Sequence, residues 1–140
     1  MGVKTYNPKK VTVIVGGAIM GGFSDGGLVT VARNEQAMTL QMGTDGEAAR
    51  SKTNNKAGLI TISLLQTSPS NAILQGFASA DELSDSGVFS VLIKDNSGSS
   101  LYAAETAWVQ KVPDSEFARE AGARDWILET DNLEVFIGGN

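Results

Sequence analysis

The sequence predicts a mainly β fold, an antiparallel sandwich or barrel carrying one short helix at about 69–80 and one long polar arm at about 43–58. Three observations lead there. Short apolar runs alternate with glycine pairs along most of the chain, and Gly is enriched at 16 of 140 residues, the punctuation of a β-rich protein. One stretch alone has a helix start signal followed by apolar residues at helical spacing. One further stretch is nearly devoid of apolar side chains, and its length is unusual for a loop inside a compact domain.

In chain order, Val11 to Val15 reads as a strand, Gly16-Gly17 as a turn and Ala18 to Phe23 as its hairpin partner. Leu28 to Arg33 and Met38 to Met42 read as two more strands. From Gly43 to Gly58 large apolar residues are absent and Lys, Arg, Asp, Glu, Asn and Gly dominate. A β-hairpin extension reaching a neighbouring subunit competes here with a surface loop, and the opposed charges of Asp45 and Glu47 against Arg50, Lys52 and Lys56 suit pairing between copies. In the next strand Ile60, Ile62 and Leu64 share one side and Thr61 and Ser63 the other, a half-buried pattern.

Ser68 before Pro69 has the form of an N-cap followed by proline at the first helical position, where a missing amide costs nothing. Ile73, Leu74 and Phe77 then give the helix an apolar face to dock on the sheet. Ser84 to Gly87 reads as a loop, Val88 to Lys94 as a strand, and Asp95-Asn96-Ser97-Gly98 as a turn. Leu101 to Val112 is a long strand with mixed faces, Thr106, Trp108 and Gln110 against Glu105, Ala107, Val109 and Lys111, which suggests partial burial on both sides. Pro113 ends it. Residues 115–123 fit either a bulged strand or a helical turn. Trp126 to Glu129 and Leu133 to Ile137 flank Thr130-Asp131-Asn132 as a terminal hairpin.

A chain of 140 residues, 41% of them hydrophobic, is sized for one domain spanning 1–140. It holds no apolar run near the ~20 residues of a membrane helix and no hydrophobic signal region, so no membrane anchor and a cytoplasmic start are expected. The absence of both cysteine and histidine removes disulfides, thiolate chemistry, Ser-His-Asp triads and histidine metal sites. Gly17 and Gly22 have the spacing of a phosphate loop, but Phe23 stands where its lysine is required. Asp114 with Glu116, and Glu129 with Asp131 and Glu134, are better explained as solvated charge near strand ends than as a glycosidase pair. Trp108 and Trp126 fit core or interface better than a sugar platform. No enzyme activity, metal or cofactor is implied. The net charge of −5 argues against tight DNA binding.

Several segments together, KTYNPKKVTVIVGG at 4–17, RNEQA at 33–37, DGEAARSKTNNKAG at 45–58, LITISLLQTSPSNAILQGFASADE at 59–82 and LEVFIGGN at 133–140, resemble the tail tube proteins of phages with contractile tails, almost end to end. The resemblance implies homohexameric rings stacked into a hollow tube that passes DNA without binding it specifically. It implies the tail sheath, baseplate and tail terminator proteins as partners, and the virion tail, assembled in the host cytoplasm, as location. It also makes the arm an inter-ring contact, with Asp45, Glu47, Arg50, Lys52 and Lys56 as candidates. An equivalent tube in a DNA-free bacteriocin or secretion device, and more remotely a carbohydrate-binding module, are the alternatives.

Overall fold

The computed structural model describes residues 2–139. A 3₁₀ turn at Pro8–Lys10, closed by the Asn7 side chain accepting from the Lys9 amide at 3.0 Å, leads into β1 (Val11–Val15). Gly16 and Gly17 both have positive φ, 58° and 85°, the pair that a two-residue hairpin turn matching strand twist requires. The partner β2 (Ala18–Ile19) is shorter than the sequence suggested. The chain leaves β1 at the Gly21-Gly22 pair and crosses to a different strand.

That strand is β6 (Gly58–Leu65), whose residues alternate strictly between buried and half-buried, with Ile60, Ile62 and Leu64 inward as the pattern predicts. The crossing segment bonds to its end: the Leu65 amide donates to Gly22 O at 2.7 Å and the Ser24 amide to Ser63 O at 3.0 Å. The remaining strands are β3 (Val29–Arg33), β7 (Phe89–Asp95), β8 (Leu101–Lys111), β9 (Ala123–Thr130) and β10 (Glu134–Phe136). They form an antiparallel sheet in the order β2-β1-β7-β8-β9-β6-β3, with β10 on β8. The crossing segment joins the β1–β2 edge to β6, which closes the sheet into a barrel around Val13, Val15, Ile60, Ile62, Leu64, Val91, Ile93 and Leu128.

Helix α1 (Ser70–Ser84) starts one residue later than the Ser68-Pro69 signal predicts, with Pro69 rather than Ser68 at the N-cap. The Ser68 hydroxyl accepts from the Ser70 amide at 3.2 Å and donates to Gly21 O at 2.6 Å, which ties the turn before the helix to the crossing segment. The helix runs on to Ser84, four residues beyond the expected end, and stops at Asp85 in the left-handed conformation, φ 56°. Leu74 and Ala78 face the core and Phe77 stacks on Phe89 with centroids 4.6 Å apart. Ile73, expected on that face, is exposed. One turn on from Leu74 the buried position is Ala78, which rotates the docking stripe away from Ile73.

One further expectation gains its cause and two are corrected. The mixed faces of β8 come from a bulge: Phe89 pairs with Ala107 but Val91 with Ala104, so Glu105 and Thr106 absorb an extra residue and both alanines are buried. No terminal hairpin forms. β9 pairs with β6 and β8, and β10 crosses to β8, with Glu134 opposite Ala103 and Phe136 opposite Leu101. Residues 112–122 form neither of the two expected elements but a loop between β8 and β9.

The connections sort to two poles. α1, following β6, and the 112–122 loop lie at one end of the barrel. The β3–β6 connection, the β7–β8 turn and both chain termini lie at the other.

Candidate subunit interfaces

The β3–β6 connection is the polar arm, and it is a hairpin. Strands β4 (Met38–Met42) and β5 (Ala48–Lys52) pair with each other, Met38 opposite Lys52 and Met42 opposite Ala48, and with no strand of the barrel. The tip is built from its own sequence: Gly43 N donates to Glu47 O at 2.7 Å, Gly46 sits at φ 90°, and the Asp45 carboxylate accepts from Glu47 N at 3.2 Å. The root is braced. Asn34 N donates to Ala57 O and Thr53 N to Ala37 O, both at 3.0 Å, and the Arg33 guanidinium donates twice to Leu133 O, at 3.1 and 2.8 Å.

Strand alternation gives the arm two unlike faces. Met38, Leu40 and Met42 share one with Ala48, Arg50 and Lys52, while Thr39 and Gln41 share the other with Ala49 and Ser51. The three apolar side chains are 43, 66 and 62% exposed, an arrangement that an isolated chain gains nothing by displaying.

Of the residues singled out by charge, Asp45 and Glu47 lie in the tip turn, Arg50 and Lys52 on β5 opposite Leu40 and Met38, and Lys56 at the root, bridged to Asn132 rather than on the projecting part. None of them forms an ion pair among the described residues, where the one such contact is Lys111 with Asp114 at 3.5 Å. Charge alone missed Met38, Leu40 and Met42. Their alternation was the available signal, and it reads the same whether a strand is buried by its own barrel or by another chain.

A second candidate surface is the sheet β8-β9-β6-β3. β3 pairs with β6 only, and β8 pairs with β7 only as far as Ala107, so Trp108–Lys111 has β9 on one side and an open edge on the other. Because the four strands alternate in direction, the β3 edge and the β8 edge are antiparallel to each other. The outward face carries Thr30, Thr61, Ser63, Asp125 and Glu129. Glu129 accepts from Trp108 Nε1 at 3.2 Å and Gln110 Nε2 at 3.1 Å, and Ser63 donates to Asp125 at 2.5 Å. Lys111, the cation on this face among the described residues, is the one paired with Asp114.

A third surface is apolar. Ile19, Ile14, Leu92 and Ala103 lie in register across β2, β1, β7 and β8, all pointing outward, with Leu101 and Phe136 in the next row.

The chemistry weighed from sequence finds no convergent geometry. Trp126 is buried at 3% exposure with its indole N–H on Asn71, and Trp108 is half-buried against Glu129. Among the described residues no three acidic side chains gather where a metal could sit.

The comparisons with known proteins agree with a structural part. A family model described as the bacteriophage PhiTE tail tube protein matches residues 11–138. Structural protein ORF10 of Pseudomonas phage KPP10 is 35% identical over 144 residues, covering 97% of this chain and 83% of that protein. The fold is shared with the tube-terminating cap of the anti-feeding prophage, at TM-score 0.65 and 13% identity over 97% of this chain and 94% of that one. It is shared as well with a chain of the sheath-tube complex of PVC, an extracellular contractile injection system, at TM-score 0.65 and 12% identity over 94% of this chain and 91% of that one.

Proposed function

This chain belongs to the bacteriophage tail tube protein family, and from that premise we propose that it forms homohexameric rings that stack into the inner tube of a contractile tail and conduct DNA during ejection. The observation that carries the reading is the four-stranded sheet β8-β9-β6-β3 with an open edge at each end. Antiparallel pairing of β3 in one copy with Trp108–Lys111 of the next continues the alternation of strands. Repeated around a ring, it leaves no edge unpaired. The number six is what the family resemblance implies.

The outward face of that sheet is the natural lining of the channel. It offers hydroxyls and carboxylates, and Asp114 stands 3.5 Å from its lysine, so passing phosphates meet a face on which negative charge predominates. The mechanism is mechanical: the wall excludes grip, and contraction of a surrounding sheath drives the tube through the envelope. Tail sheath, baseplate and terminator proteins are the partners on this reading, and the virion tail the location, reached by assembly in the host cytoplasm. The likeness of fold to tubes and caps of injection systems supports a second reading, the same tube in a particle that carries no genome.

Negative-stain electron microscopy of the concentrated protein tests the proposal. Hollow tubes with sixfold end views are expected. Catalytic or glycan-binding activity in a chain that stays monomeric, including when supplied with baseplate to nucleate it, overturns it.

A further inference from the structure

At the pole opposite the arm, α1 and the 112–122 loop enclose a cleft of about 400 Å³. Arg124 lies at its floor. Its side chain points inward from β9 and only 7% of it is exposed, yet no carboxylate lies within ion-pair distance among the described residues. The guanidinium donates to two carbonyls, Ala123 O at 3.1 Å and Glu116 O at 3.0 Å, and its carbon stands 5.6 Å from the centre of the Phe117 ring. A guanidinium has five N–H groups, so donors remain for an anion. The first turn of α1, at Asn71 and Ala72, lines the same cleft and adds the positive end of a helix dipole. The rim is apolar, with Phe117 82% and Val112 44% exposed. A buried cation without a counter-ion is costly, and such a cleft is completed by a carboxylate carried on an apolar segment.

The opposite pole supplies one. The arm tip presents Asp45 and Glu47 beside Met42, all exposed, on a hairpin whose five-residue strands extend it by ~17 Å. In a head-to-tail stack of identical copies, the arm pole of one layer faces the cleft pole of the next. We propose that the α1/112–122 cleft is the receptor for the arm tip of a second copy in the adjacent ring, with Asp45 or Glu47 completing Arg124 and Met42 covered by Phe117 and Val112. The inference rests on the stacked-ring reading.

The chain contains no cysteine, so introduced thiols report one contact. Tubes of the double variant Glu47→Cys, Gln75→Cys, treated with a short bismaleimide, are expected to give a ladder of covalent oligomers that runs past the size of a ring. A ladder stopping at ring size places the arm within its own ring and overturns the inference, as do intact tubes that yield no cross-link. If the unmodified chain forms no tubes under any nucleating condition, it is the stacked-ring reading that fails, and this inference with it. A second variant leaves the cleft intact: Asp45→Asn, Glu47→Gln is expected to raise the concentration needed for tube growth about tenfold. No change in that concentration overturns the proposal.

Discussion

The indole N–H of Trp126 donates to the side-chain carbonyl of Asn71 at 2.9 Å, tying the middle of β9 to the first turn of α1. The same amide donates through Nδ2 to Leu65 O at 2.9 Å and Ser68 O at 3.0 Å, the carbonyls of the turn that launches the helix. Asn71→Ala leaves the buried Trp126 indole N–H without an acceptor and removes one of two bonds from each carbonyl, Leu65 O keeping the Ser68 amide and Ser68 O the amide of residue 71. It is expected to destabilise the monomer by about 2–3 kcal/mol, read as a lower urea midpoint with tryptophan fluorescence shifted to longer wavelength.

Gly58 opens β6 where the arm re-enters the barrel. A Cβ there would stand 2.7 Å from Ala32 O and 2.6 Å from Leu133 Cδ2, while Gly26 faces open space. Gly58→Ala is expected to cost about 1–3 kcal/mol by forcing apart β3 and the C-terminal turn. Gly26→Ala is expected to change stability by less than about 0.5 kcal/mol. Thermal melts of the two variants side by side check this.

Arg33 holds the arm root to the C-terminal turn through two bonds to one carbonyl, Leu133 O. A lysine cannot reproduce that fork. Arg33→Lys is therefore expected to lose about 1–2 kcal/mol and to raise amide exchange at residues 34–37 and 53–57 before exchange in the barrel changes.

The arm's apolar stripe is exposed and lies outside the barrel's hydrophobic core. Leu40→Ser is expected to leave the monomer's urea midpoint unchanged, within about 0.5 kcal/mol, while abolishing tube growth seen by electron microscopy. A variant with both properties intact would show that the stripe is not a contact.

The open edges predict a pattern in hydrogen exchange. In monomer, amides on the unpaired sides of β3 and of Trp108–Lys111 are expected to exchange quickly, and in tubes to become protected together. Protection of one edge without the other would contradict pairing between them.

The barrel was legible in the sequence wherever a local rule sufficed. Ile60, Ile62 and Leu64 alternate because one side of β6 is core, and Ser68-Pro69 starts a helix because both residues fit its first turn. What escaped depends on partners distant in sequence. The turn at 130–132 looks the same whether β10 folds back on β9 or crosses to β8, and β8 settles it by offering the stretch beside Leu101–Ala103 that β9 does not reach. The bulge at Glu105-Thr106 answers to spacing on β7. In the candidate interfaces, the charges of the arm were visible and its apolar face was not, since Met38, Leu40 and Met42 carry the pattern of an ordinary buried strand. Arg124 continues the inward alternation of Trp126 and Leu128, but a charge at the start of a strand reads as its solvated end, and the 112–122 loop that covers it has no periodicity.

The sorting of connections to opposite poles bears on how growth ends. In the head-to-tail stack proposed above, one extremity ends in hairpins and the other in clefts, so the two are chemically distinct surfaces. On that reading, a cap that ends growth must complement either a hairpin or a cleft, never both.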